Sequence, residues 1–253
     1  MIHYFFGLSV SKIILDVVFG IIFIGTMAFK KMRSFAWIFL FWQLPLVVLN
    51  IFLGMHNQGT FFSSFSFIQI IMFSLTYLIA IPASYWFARK YSLIAPFKLH
   101  LIQPVLLLAG FVSILLGSFL ANILSLIVVG ESTTAANQAA VIKIMAALPV
   151  IFSFLFPIIA GYFEELIFRV GFFEVLFTKN KKIAFLFSFF LFALLHVIAG
   201  SLTDVHAWLS YGVMSFVFTA VYYKYRNFYL NASVHIVWNL FVTLISLLVK
   251  YYR

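Results

Sequence analysis

Eight runs of about twenty mostly apolar residues, parted by short polar breaks, decide what this chain can become, because a helix crossing bilayer hydrocarbon needs that length. They lie at approximately 8–29, 34–53, 65–88, 101–129, 148–178, 183–200, 207–223 and 228–249. Across 253 residues, 65% are hydrophobic, 9% are charged and 35 are Phe. A soluble domain of that size has no interior large enough to hide so much apolar surface. The bilayer is therefore the solvent. Lipid offers no partner for a free N–H or C=O, so the expected fold is all-α, a polytopic integral membrane helix bundle of about eight transmembrane helices. With Cys at 0, disulfide staples and thiolate chemistry are excluded.

The breaks between runs alternate in charge. Lys30, Lys31 and Arg33 are followed by a neutral break at His56, Asn57 and Gln58, and then by Arg89, Lys90 and Lys98. Glu131 to Gln138 carries no Lys or Arg, whereas Lys179, Lys181 and Lys182 do follow; Ser201 to His206 has none, and Lys224 with Arg226 completes the series. Of the 16 Lys and Arg, Arg169 falls inside an apolar run, and eleven of the remaining fifteen sit in alternate connectors. The exceptions are Lys12, Lys143, Lys250 and Arg253. The positive-inside bias assigns those connectors to the cytoplasm and both chain ends to the outside of a cell membrane. Pro149 and Pro157 are expected to interrupt regular helix, so that 139–178 can hold a short re-entrant or interfacial piece before Pro149 and then one long helix; a count of seven spans would put the ends on opposite sides. The first run is too long for a secretory core and has no basic leader, so residues 1–29 are expected to stay. No repeat, linker or charge block divides the chain, which reads as one membrane domain over 1–253. The net charge of +10 forms no clustered basic face, so it carries topology and not nucleic-acid binding.

An ionisable side chain at membrane depth is costly, so each one inside a span is a functional hypothesis. The screen leaves Asp16, Glu164, Glu165, Arg169, Glu174, His196 and His235, with Asn239 as a neutral polar partner. On a helix, Glu165 and Arg169 are four apart and face one another, while Glu164 is rotated by roughly 100°. Arg169 then neutralises Glu165, and Glu164 points elsewhere as the better proton acceptor. His235 and Asn239, also four apart, share a helix face. At 1.5 Å per residue, Glu164 lies ~22 Å of helix from Lys179, His196 ~21 Å from Lys182 and His235 ~14 Å from Arg226, so the three can share one layer. Asp16, close to Lys12, reads as an ion pair, and Glu174 as solvated near the cytoplasmic end. His3, His56, His100 and His206 fall in ends or connectors, and Trp86, Tyr91, Tyr222 and Tyr223 fit an interfacial belt.

Glu164-Glu165-x-x-x-Arg169, then Phe192-x-x-x-His196, then His235-x-x-x-Asn239 in a later span, resembles the motif set of the CPBP family of membrane proteases, named for CAAX proteases and bacteriocin-processing proteins and also called Abi. The match covers about 160–240, within a motif-bearing core of about 148–249; the helices of 1–129 stand outside it. The family commonly has Gly directly after the Arg, whereas here Val170 precedes Gly171. The resemblance implies an intramembrane endopeptidase acting on a membrane-associated peptide or protein, in peptide processing, peptide signalling or bacteriocin self-immunity. It implies Glu164 and His196 as activators of water, His235 and Asn239 as oxyanion donors, and Glu165, Arg169 and Phe192 as supports. No cofactor is required on this reading.

Glu164, His196 and His235 also make an acceptable catalytic zinc set, but no His-Glu-x-x-His pair pre-positions two ligands on one helix, and the metal-free mechanism is preferred. Two other classes compete: a non-catalytic scaffold or immunity protein binding a partner in the same cavity, and a proton-coupled transporter.

Overall fold

The computed structural model describes residues 67–98, 101–130, 150–198 and 201–251, together with 32–43 and positions 21, 25, 27–29, 138–139 and 142. Regular structure among them is helical throughout: α1 over 33–43, α2 Phe67–Lys90, α3 Gln103–Val129, α4 Val150–Glu165 continuing as a π-helix Leu166–Leu176, α5 Lys181–Val197, α6 Val205–Tyr225 and α7 Phe228–Tyr251. The expected spans from 65–88 onward coincide with α2 to α7 to within a few residues at each end. Most of the run 8–29, the second half of 34–53, Asp16, Pro149 and the connector at 131–137 lie outside the described residues.

Helix ends follow local chemistry. The Asn180 side chain accepts from the Ile183 N–H at 3.1 Å and starts α5, and Asp204 does the same for Ala207 at 2.9 Å to start α6. Pro104 sits in the first turn of α3, where its missing N–H costs nothing. Gly130, at φ 79°, closes α3 in the left-handed region that glycine enters freely.

Of the described helices, Gln103–Val129, Val205–Tyr225 and Phe228–Val249 are each long and apolar enough to cross a membrane. α3 shows the inversion expected of a protein dissolved in lipid. Its small residues Gly110, Ala121 and Ser125 are buried, while Leu116, Phe119 and Ile127 project outward. A Cβ on Gly117 would come within 2.5 Å of Val213, so the absent side chain is what lets α3 lie against α6. α6 also packs on α5, α7 packs on α3 and α4, and the π-helix lies against α5, which places the α4–π junction between α5 and α7.

One expectation needs correction: Pro157 does not interrupt the helix, because α4 runs through it. Proline is tolerated inside membrane helices, and here the winding continues past it to Glu165; separately, Asn239 Nδ2 on α7 donates to the Pro157 carbonyl at 3.5 Å.

Candidate active site

At the α4–π junction two adjacent carboxylates face different surroundings. Glu165 is completely buried, as is Arg169, and Arg169 Nε lies 3.3 Å from Glu165 Oε2. Burying a charged pair is costly unless its hydrogen-bonding positions are filled. Here α6 and α7 fill them in part, and Arg169 Nη1 has no hydrogen-bond partner among the described residues. Arg169 Nη2 donates to the Ser215 carbonyl at 3.4 Å and to Thr219 Oγ1 at 3.5 Å on α6. Its guanidinium also lies over the Phe192 ring, 4.6 Å from the centroid, where the negative ring face meets positive charge. From α7, Asn231 Nδ2 donates to Glu165 Oε2, and His235 Nδ1 lies 2.8 Å from Oε1.

Glu164 turns toward the imidazoles. Its Oε2 lies 3.7 Å from His196 Nε2 and 3.6 Å from His235 Nε2. The partners of the other ring nitrogens assign the tautomers. His196 Nδ1 faces the Phe192 carbonyl at 2.8 Å, and a carbonyl only accepts, so Nδ1 carries the hydrogen and neutral His196 presents a bare Nε2. His235 Nδ1 donates to Glu165 in the same sense, and its Nε2 faces Glu164.

Aromatic rings hold both imidazoles in plane. His196 lies between Phe192 and Tyr211, with centroids 4.5 and 4.7 Å away, and His235 stacks on Phe218 at 4.2 Å. Phe192 therefore contacts His196, His235 and Arg169 at once. The structure brings Glu164, Glu165, Arg169, Phe192, His196 and His235 into one cluster. Asn239 sits one turn beyond His235, with its amide nitrogen on Pro157.

Beyond Glu165 the helix widens to π winding, and Leu166 through Phe173 are all buried. A π turn holds one more residue than an α turn, and such widening concentrates at functional sites. Arg169, Val170 and Gly171 all lie within it. Gly171 then meets the Phe35 ring of α1: a Cβ there would come 2.7 Å from Phe35 Cδ2 and Cε2.

Sequence reasoning passed over two residues. Asn231 could have been found, since it precedes His235 by the four residues that separate His235 from Asn239. Tyr211 leaves no signal in a span already rich in aromatics. Glu174, expected to be solvated near the cytoplasmic end, keeps 26% of its side chain exposed and also gathers partners: Tyr222 Oη and Arg226 Nη2 donate to its Oε1, and Lys181 Nζ lies 3.9 Å from Oε2.

A buried ion pair is thus held within a helical membrane bundle, with a second glutamate set against two histidines. Residues 146–241 match the family model described as type II CAAX prenyl endopeptidase Rce1-like. The UPF0177 protein YvdC of Lactococcus lactis subsp. lactis (strain IL1403) is 37% identical over 213 residues, 84% of this chain and 77% of that protein. The UPF0177 protein YxdF of the same strain is 40% identical over 101 residues, 39% of this chain and 52% of that protein. No solved structure matches. The chain belongs to the CPBP family, and at family level it is a membrane protease of the CAAX type.

Proposed function

We propose that the chain is an intramembrane endopeptidase in which Glu164 activates water to hydrolyse a peptide bond of a membrane-associated peptide or protein. The observation carrying this reading is the convergence of Glu164 Oε2 on His196 Nε2 and His235 Nε2, at 3.7 and 3.6 Å. Those separations are too long for direct hydrogen bonds and suit a water held among the three groups. Carboxylate and bare Nε2 are both acceptors, so a water between Glu164 and His196 would direct its hydrogens at them and its lone pair away.

In the proposed reaction the water oxygen attacks the scissile carbonyl carbon as Glu164 takes the proton. His235, protonated on both nitrogens with Glu165 as its counter-charge, and the Asn239 amide donate to the developing oxyanion. Collapse breaks the C–N bond, and Glu164 returns its proton to the leaving amine. We place the enzyme in a bacterial plasma membrane as a multi-pass protein. Its role there is peptide processing, peptide signalling or bacteriocin self-immunity, on peptide substrates that need not be prenylated.

The test is a peptidomic comparison of membranes carrying wild-type or Glu164→Ala protein at equal level. Products present only with wild type are expected. Full biological effect from both Glu164→Ala and His196→Ala would instead favour a scaffold or immunity protein binding a partner in the same cavity. A zinc mechanism is favoured by the convergence of one carboxylate and two imidazole nitrogens, although among the described residues no group of three or more His, Asp, Glu or Cys is arranged to hold a metal ion. Loss of hydrolysis on exhaustive chelation, restored by zinc alone, would establish that alternative.

A further inference from the structure

We infer that Asn231 is a positioning residue of this site, acting through Glu165 to set the orientation and tautomer of His235. Asn231 is fully buried in the first half of α7, where an uncompensated carboxamide is costly. Its Nδ2 donates to Glu165 Oε2, the oxygen that also faces Arg169 Nε at 3.3 Å, while Glu165 Oε1 takes the His235 Nδ1 hydrogen at 2.8 Å. The two carboxylate oxygens therefore have divided tasks: Oε2 is anchored by Asn231 and Arg169, and Oε1 is left to His235.

The terminal torsion of a glutamate is soft, so a carboxylate keeps one rotation only when both oxygens are held. Without the Asn231 amide, Oε2 keeps Arg169 alone at its longer distance. The carboxylate can then turn, the Nδ1–H of His235 loses its acceptor, and the ring can move its hydrogen to Nε2. With Nδ1 bare, His235 would lose the Glu165 contact that supports a second hydrogen on Nε2, the one the proposed reaction directs at the oxyanion. The groups facing His235 are Glu164 and Glu165 from α4, Phe192 from α5 and Phe218 from α6. Glu165 is the group that accepts from Nδ1.

A helix–helix staple is the competing account of a buried amide. A staple affects stability, whereas a positioning residue also changes the state of His235. The experiment is nitrogen-15 NMR of the full chain in detergent micelles, labelled at its 6 histidines, with His235 assigned by the signal lost in His235→Gln. In wild type, neutral His235 is expected to carry its hydrogen on Nδ1, and a bare Nδ1 overturns the inference without any Asn231 variant. In Asn231→Leu and in Asn231→Ala, both of which remove the donor, the ratio of tautomers is expected to move about tenfold toward Nε2–H. An unchanged ratio in either variant, with a lowered unfolding temperature, makes Asn231 a staple only.

The inference rests on the protease reading for one further arm: the yield of Glu164-dependent products should fall about ten- to a hundredfold in both variants, as it does when a partner orienting an active-site ligand is lost. Absence of any such product in wild type would sink the protease reading and leave the NMR result standing.

Discussion

Two carboxylates in the described part of the molecule each gather an arginine and other donors, and they do so in different solvents. Glu165 meets Arg169, Asn231 and His235 at zero exposure in the middle of the bundle. Glu174 meets Arg226, Tyr222 and Lys181 where π-helix, α5 and α6 end, with the side chains of Glu174 and Lys181 26% and 39% exposed. Burial makes the first arrangement hard to alter, since removing one partner leaves a charge with no water to turn to. At the second, water and salt can replace whatever is lost. The proposed chemistry lies next to the unyielding arrangement, where dipoles stay fixed through a reaction.

The comparison predicts its largest effect at Glu165. Glu165→Leu leaves the Arg169 guanidinium buried without its counter-charge and should cost about 3–5 kcal/mol, read as a fall in unfolding midpoint in micelles, and abolish hydrolysis as well. A midpoint unchanged by this substitution would mean that the pair is not buried in the folded protein.

Glu164→Gln should separate the two adjacent glutamates. It removes the proposed base while keeping size and polarity, so product formation should fall about 10²- to 10⁴-fold with an unfolding midpoint near wild type. Equal destabilisation by the Glu164 and Glu165 substitutions would erase the distinction drawn between them.

That distinction was largely legible in the sequence. Adjacent helical residues point about 100° apart, and four-residue spacing brings Glu165 to Arg169. The spans were legible for a related reason: lipid penalises each exposed polar group so heavily that polarity marks where helices stop. Other features had no such local cause. Nothing near Glu174 names Tyr222 or Arg226 as partners, because they are 48 and 52 residues away and meet it only through the packing of the π-helix on α6. The π winding over Leu166–Leu176 was equally hidden, and Gly171 within it acquires meaning only with Phe35 packed against that glycine. Pro157 misled because the rule that proline breaks helices is weaker in membrane helices, where neighbouring helices and side chains can meet the carbonyl that the ring leaves free, and α4 runs through it.

Gly171 sharpens the comparison along the π-helix that joins the two regions. Gly171→Ala would drive a methyl against Phe35 and should cost about 1–3 kcal/mol, as overpacking a full core does. The companion Phe35→Leu should recover part of that loss, because it opens the space the methyl needs. No recovery in the double variant would show that the glycine serves the π backbone itself.

The smallest effect belongs to Glu174. Glu174→Gln keeps an acceptor for Tyr222 and removes a charge that Arg226 and Lys181 share at the bundle's edge. Arg226 retains its contact with the Phe173 carbonyl at 3.4 Å, and Lys181 retains its own with the same oxygen at 2.7 Å, so neither cation is stranded. The loss should be about 1 kcal/mol or less, and it should shrink further at 1 M salt, where screening acts over roughly 3 Å. Unfolding midpoints of wild type and variant, measured at low and high salt, check both statements. A loss as large as that from Glu165→Leu, and indifferent to salt, would mean that the Glu174 cluster tolerates change no better than the buried centre, and exposure would no longer explain why only one of the two stands beside the histidines.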